Sequence, residues 1–199
     1  MKTVRDKIMD IAEKKSLFRA QDILDVKKPQ TELCRMVNDG TIIRVGWGLY
    51  SLPEAEIGEN HSLVEAIKLN NGGVICLISA LYFHKIGTQL PYETWIMRHN
   101  RNLASDKNHS VRFVYCTGDA FSYGIEKHII EGTEVSIYSP AKTVADCFKY
   151  RNKIGMDVAI EALVDGWSSK KFSMDELWAA VKVCRITKII QPYMEMIAK

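Results

Sequence analysis

The chain lacks almost every short motif that marks an enzyme. It has no Gly-x-x-x-x-Gly-Lys loop, no Gly-x-Gly-x-x-Gly after a strand and no His-Glu-x-x-His. The backbone cradles and paired ligands that hold phosphates, dinucleotides or catalytic zinc are therefore missing. No Gly-x-Ser-x-Gly elbow accompanies its Ser, His and Asp residues, so nothing supports a hydrolase. No Asp…Glu-x-Lys or Gly-Ser…Asp-x-Asp cluster offers the grouped carboxylates a metal-dependent nuclease or nucleotide-processing enzyme needs. The expectation is a protein that is not an enzyme and needs no cofactor.

Other absences narrow the class. The five cysteines (Cys34, Cys76, Cys116, Cys147, Cys184) are odd in number and widely spaced, with no zinc-ligand pattern. Most lie in apolar runs such as Val74-Ile75-Cys76-Leu77-Ile78, which predicts reduced, buried thiols. No apolar run approaches the roughly 20 residues that span a bilayer. The opening charges Lys2, Arg5, Asp6 and Lys7, without an apolar h-region, do not read as a signal peptide. A reducing cytoplasm and no membrane partner are expected. There is no internal repeat and no low-complexity segment.

What is present is an ordinary globular composition, 47% hydrophobic and 26% charged over 199 residues, with a net charge of +3. That charge is unevenly placed. Residues 1–53 hold ten Lys/Arg against seven Asp/Glu, whereas residues 54–199 hold 17 of each. All the excess positive charge sits in the segment whose pattern reads as a winged helix-turn-helix. Val4, Ile8, Ile11 and Ala12 recur at helical spacing, predicting a helix over Thr3–Lys14. A short second helix is expected over Arg19–Leu24. A third starts at Pro29 and ends at Asn38-Asp39-Gly40, followed at once by a β-hairpin over Thr41–Leu52 with its turn at Gly46-Trp47-Gly48.

On a wheel of about 100° per residue, Leu33, Met36 and Val37 share the core face of the third helix. The opposite face is centred on Thr31, Arg35 and Asn38, flanked by Lys28 and Cys34. Arg and Asn can make bidentate contacts with base edges, and lysines suit phosphates. A merely solvated polar face is the competing reading, and the hairpin immediately downstream favours DNA. The DNA-contact candidates are Lys27, Lys28, Thr31, Arg35, Asn38, Arg44 and Trp47. Arg44 and Trp47 belong to the wing; the alternative for Trp47 is a ring folded back onto the domain.

Residues 54–60 are acidic, poor in apolar side chains and read as a linker. Beyond them, 61–199 reads as a larger mixed α+β domain with a helical last third, so the fold class is α+β. Helices are expected at about Ser62–Leu69 and Ser79–Lys85, and strands at Thr94–Arg98, Val111–Cys116, Glu126–Glu131 and Glu134–Tyr138. In the second of these strands Val111, Phe113 and Tyr115 are taken as the buried parity. Ser139-Pro140 opens a helix to about Tyr150, Met156–Asp165 makes another closed by Gly166, Ser173-Met174-Asp175-Glu176 is a capping box, and Ile186 to Ile197 is amphipathic. His84, among Leu81, Tyr82, Phe83 and Ile86, reads as a satisfied core-edge histidine rather than a ligand. Lys142 and Asp146 read as an exposed i,i+4 pair, or, with Lys149 and Arg151, as a polar partner surface.

These residues carry a pattern. Leu33-x-x-Met36-Val37-x-x-Gly40 with Gly48-Leu49-Tyr50, Ser79-Ala80-Leu81-Tyr82-Phe83-His84 with Leu90-Pro91, and Ser139-Pro140-Ala141-Lys142-Thr143-Val144-Ala145-Asp146-Cys147 with Arg151 and Gly155 span nearly the whole chain. The chain resembles the AbiEi-type antitoxins of type IV toxin–antitoxin (abortive infection) pairs. One position departs: the family's wing commonly carries a basic residue where this chain has Trp47. The resemblance implies a repressor of its own operon that binds operator inverted repeats in double-stranded DNA. It also implies an antitoxin that neutralises a cognate nucleotidyltransferase toxin, apparently without a tight complex. The matching positions Lys142, Asp146 and Arg151 would then belong to the antitoxin surface. Two alternatives stand beside it: a ligand-responsive winged-helix repressor with a cavity by Trp95 and Phe113, and a DNA-targeted nuclease.

Overall fold

Thr3 opens the first helix with a reciprocal cap, its hydroxyl accepting from the Asp6 amide while the Asp6 carboxylate accepts from the Thr3 amide. The computed structural model describes residues 2–23, 26, 28–70, 72–100 and 111–197. It begins with α1 (Val4–Ala12), β1 (Phe18–Arg19), a 3-10 turn (Ala20–Asp22), α2 (Gln30–Asn38), β2 (Ile43–Gly46) and β3 (Leu49–Ser51). Next come α3 (His61–Leu69), β4 (Val74–Ile75), α4 (Leu77–His84), β5 (Thr94–Arg98), β6 (Val111–Tyr115), α5 (Asp119–Ser122), β7 (Ile125–Ile130) and β8 (Thr133–Tyr138). Five helices finish the chain: α6 (Pro140–Lys149), α7 (Arg151–Ile154), α8 (Met156–Ser168), α9 (Met174–Cys184) and α10 (Thr187–Ile197). The class is mixed α+β, as expected, and no described helix is long and apolar enough to cross a membrane.

Two compact units divide these elements, the first taking Met1–Gly72 with Ile129–Val135 and the second most of the remainder. In the first, a three-stranded antiparallel sheet has the order β1-β3-β2. Its core is Ile8 and Ala12 of α1, Phe18, Ile23, Leu33 and Met36 of α2, and Ile42. Each such aliphatic side chain contributes about 1.5–3 kcal/mol when fully buried. The helix expected over Arg19–Leu24 is absent from the described part of that span. Phe18 and Arg19 instead pair with Tyr50 and Leu49, and Asp22 accepts from the Arg19 amide at 2.7 Å, closing a 3-10 turn; Leu24 lies outside the described residues.

The acidic segment 54–60 falls within this first unit, and Gly58 donates to a Glu131 carboxylate oxygen at 2.8 Å. Glu131 and Gly132 form the two-residue turn between β7 and β8, with φ of 48° and 71°, the left-handed pair of a type I′ hairpin. Gly132 suits this turn; a Cβ there would lie 1.9 Å from the Lys14 carbonyl oxygen. Glu131 is a non-glycine residue in the same region, and its side chain offsets the strain. It accepts from the Ser16 hydroxyl and the Gly58 amide and pairs with His61 Nδ1 at 2.7 Å.

The second unit is built on the five-stranded sheet β6-β5-β4-β8-β7, parallel between β5 and β6 and between β4 and β8, antiparallel between β4 and β5. The four longer strands and the five longer helices α4, α6, α8, α9 and α10 fall within a few residues of the spans predicted for them. Three features differ. The two-residue β4, centre of the sheet, is hidden in an apolar run too short to show a period. The alternation of β6 is incomplete: Val111, Phe113 and Tyr115 are half-buried and Arg112 is exposed, but Val114, on the same parity as Arg112, is buried. The Arg98 guanidinium lies 3.9 Å over the Phe113 ring and gives it partial cover on this edge strand. Gly166 does not end α8; the helix runs on to Ser168, and a Cβ at 166 would meet the Phe172 ring at 2.5 Å. His84 donates from Nε2 to the Tyr138 carbonyl at 2.7 Å, the satisfied core-edge role expected of it.

Burial raises the Glu131 carboxyl, but Ser16, His61 and the Gly58 amide outweigh it and hold its pKa below the usual glutamate value. The stability this supplies is complete above the unfolded-state value and is lost as pH falls through the lowered folded-state value. Glu131→Gln should cost about 1–3 kcal/mol near neutrality by urea unfolding. That deficit should shrink as the pH falls through the lowered folded-state value, where the wild-type carboxylate itself becomes protonated; a pH-independent deficit would contradict this role.

Candidate nucleic-acid interface

Helix α2 separates its two faces cleanly. Leu33 and Met36 are fully buried and Val37 half-buried, whereas Thr31, Cys34, Arg35 and Asn38 are exposed. Ile42 locks the helix exit by donating to the Met36 carbonyl at 3.1 Å, and its own side chain enters the same core. Pro29 occupies the N-cap with φ −69° and supplies no side-chain cap to the positive end of the helix. Lys28 stands immediately before it, exposed and in a left-handed conformation with φ 58°. Lys27 lies outside the described residues.

The charges on this face are paired loosely. Arg35, 72% exposed, sits 3.3 Å from Glu32, and Arg5 lies 2.8 Å from Asp39. The Thr41 hydroxyl, with Arg5, lowers the Asp39 carboxyl to about 2. Exposed pairs of this kind contribute at most about 1 kcal/mol, so a phosphate or a base edge can take the arginine without a large loss. In the hairpin, Arg44 donates from Nε to the Gly46 carbonyl at 3.2 Å and is exposed. A bulge between Arg44 and Gly46 breaks the register, and the turn follows at Trp47 and Gly48. Trp47 is 84% exposed, so the alternative of a folded-back ring does not hold. Ile43 and Val45 beside it are also exposed, which gives this hairpin an apolar outer edge.

Lys142 and Asp146 sit elsewhere in the fold and correct an expectation. They are not an exposed pair; both side chains have zero exposure, and Lys142 Nζ donates to Asp146 inside α6. Every residue from Ala141 to Phe148 is buried, because α6 lies among α4, α8 and α9. Neither residue can present a surface to a partner. Their neighbours went unsuspected in the sequence: Cys184 donates to the other Asp146 oxygen at 3.4 Å, and Lys142 Nζ lies 4.2 Å over the Tyr138 ring. Burial pushes the Asp146 carboxyl up, against the downward pull of the Lys142 charge. The usable signal was a Lys and an Asp at i,i+4 in a helix whose other positions are nearly all apolar. Arg151, half-buried just beyond α6, donates to the Phe148 carbonyl at 3.0 Å.

All five thiols are free, with Cys34 exposed and the other four buried as the apolar context predicts. Trp95 is buried beneath Arg112, and Phe113 lies beneath Arg98. Among the described residues no group of three or more His, Cys, Asp or Glu could hold a metal ion.

A half-removed buried pair leaves an uncompensated charge, whereas an apolar replacement of both partners does not. Lys142→Met alone should therefore destabilise by about 3–5 kcal/mol in urea unfolding. Lys142→Met combined with Asp146→Leu should recover much of that loss; a double variant as unstable as the sum of its singles would refute a buried, mutually neutralising pair.

Comparison with protein-family models and with curated proteins finds no match to this chain.

Proposed function

We propose that the chain is a sequence-specific DNA-binding repressor of the AbiEi-antitoxin kind, with a winged helix in its first unit. The observation that carries this reading is the polar face of α2, free of the core, followed directly by a hairpin that holds Trp47 84% exposed at its tip. The order α1, β1, turn, α2, β2, β3 with the sheet β1-β3-β2 supports reading the first unit as a winged helix. In that fold α2 enters the major groove and the hairpin lies along the backbone. Arg35, Thr31 and Asn38 read bases, while Lys27, Lys28 and Arg44 anchor phosphates. Trp47, in place of a basic wing residue, makes an apolar contact with sugar or minor-groove edges.

The second half of the reading, antagonism of a nucleotidyltransferase toxin in the cytoplasm, rests on the resemblance of the Ser139–Cys147 segment. Lys142 and Asp146 then act by holding α6 in place, and of the three matching positions only Arg151 is open to contact. Co-expression of the full chain with its toxin tests this half directly. Growth rescue that survives Arg35→Glu would separate antitoxin action from DNA reading.

For the DNA half, Arg35→Glu should abolish the gel shift of the chain's own upstream DNA while leaving thermal unfolding unchanged. Lys28→Ala should weaken all sequences alike and lower the slope of log K against log salt by about 1. Trp47→Ala should weaken binding without destabilising the fold, since the ring buries little. Undiminished operator binding by Arg35→Glu would overturn the assignment of α2.

A further inference from the structure

We infer that the second unit carries a separate binding site for a compact phosphate-bearing small molecule, in the cleft between the ends of α6 and α9 and the segment that begins α5. This cleft of about 550 Å³ is lined by Lys149, Lys182 and Arg185, with Asp119 as its one acidic side chain and Thr117 at its edge. Its volume falls in the range of small-molecule sites, which runs from about 300 to 1,000 Å³.

Charge argues for an anion. Among the described residues, no carboxylate lies within ion-pair distance of any of the three cations, and Asp119 pairs with none of them. Lys149 is partly held, its Nζ 3.6 Å from the Cys116 sulfur and 5.7 Å over the Tyr150 ring. Lys182 and Arg185 are exposed. Lysines in the last turns of α6 and α9 offset the partial negative charge of those helix ends. That accounts for about half a charge at each helix, and Arg185 lies beyond it as a surplus. Arg185 also holds the left-handed residue that ends α9, with φ 57°, where glycine would be unstrained. Its guanidinium is a planar fork and the two ammonium groups are point charges, a combination that suits phosphate oxygens. A concave site of this size fits a phosphate chain or a nucleotide better than a duplex, which needs a contact surface of roughly 600 Å² or more. The site lies in the unit that does not contain α2, so the inference does not depend on the DNA reading.

Isothermal titration of the full chain with inorganic tripolyphosphate and with ATP, at low ionic strength, tests it. One saturable site is expected. Lys182→Ala combined with Arg185→Ala should weaken binding by at least about tenfold, because two charge-assisted contacts are lost. Both side chains are exposed, so the variant should keep a single cooperative urea transition, shifted only slightly by loss of the Lys182 charge at the end of α9. Arg35→Glu should leave the affinity within about twofold, since Arg35 belongs to the other unit and does not line the cleft. ATP binding more tightly than tripolyphosphate would identify a nucleotide, and equal affinities a bare phosphate chain; either supports the site. Absence of saturable binding, full binding by the double variant, or loss of binding in Arg35→Glu would overturn it.

Discussion

The burial of α6 from Ala141 to Phe148 is the constraint around which the second unit is arranged. A helix with eight consecutive buried residues needs partners on every side, and α4, α8 and α9 supply them. Because α6 carries Lys142 and Asp146, that packing also encloses two charges. Isolated buried ions of this kind cost several kcal/mol each, so each depends on the other and on a few exact neighbours. Cys184 of α9 satisfies the second Asp146 oxygen, and Tyr138, at the end of β8, places its ring under the ammonium group. Tyr138 is tethered in turn by donating its hydroxyl to the Phe121 carbonyl at 2.6 Å. The pair thereby sets which turn of α9 faces α6, which apolar contacts alone would specify weakly.

The first unit follows a different logic. Its core draws on one face of α1 and one face of α2, and the remaining faces are left to solvent. Small cores need help from polar contacts, and here the help converges on Glu131, which gathers Ser16, Gly58 and His61 around a strained turn. Asp22 plays a lesser version of the same part, held by Lys68 at 2.7 Å and Lys15 at 3.3 Å. The outcome is a mount for α2 that leaves Thr31, Arg35 and Asn38 exposed.

Much of this was legible in the sequence because periodicity and capping are local. The reciprocal cap at Ser173 and Glu176, the Ser139-Pro140 helix start and the alternation of β8 declare themselves within a few residues. The faces of α2 were legible for the same reason: a wheel needs only the helical period. β4 was not, since two residues have no period, and neither was β1, which exists only because Tyr50 and Leu49 offer it a ladder. In β6 the alternation gave the half-buried Val111, Phe113 and Tyr115 and the exposed Arg112, but not the burial of Val114, which depends on what packs against that face.

The sequence by itself determined the α+β class, most element boundaries, the polar face of α2 and the free state of the thiols. Each of these depends on neighbours along the chain. Tertiary structure alone decided the exposure of Trp47, the burial of Lys142 and Asp146, the clustering of three groups on Glu131 and the meeting of Lys149, Lys182 and Arg185 at one cleft. A charged residue on a helix carries no mark of whether its face will meet water or another helix. That depends on which distant segments pack against it, and hydrophobic burial, being non-directional, is settled only by the whole fold.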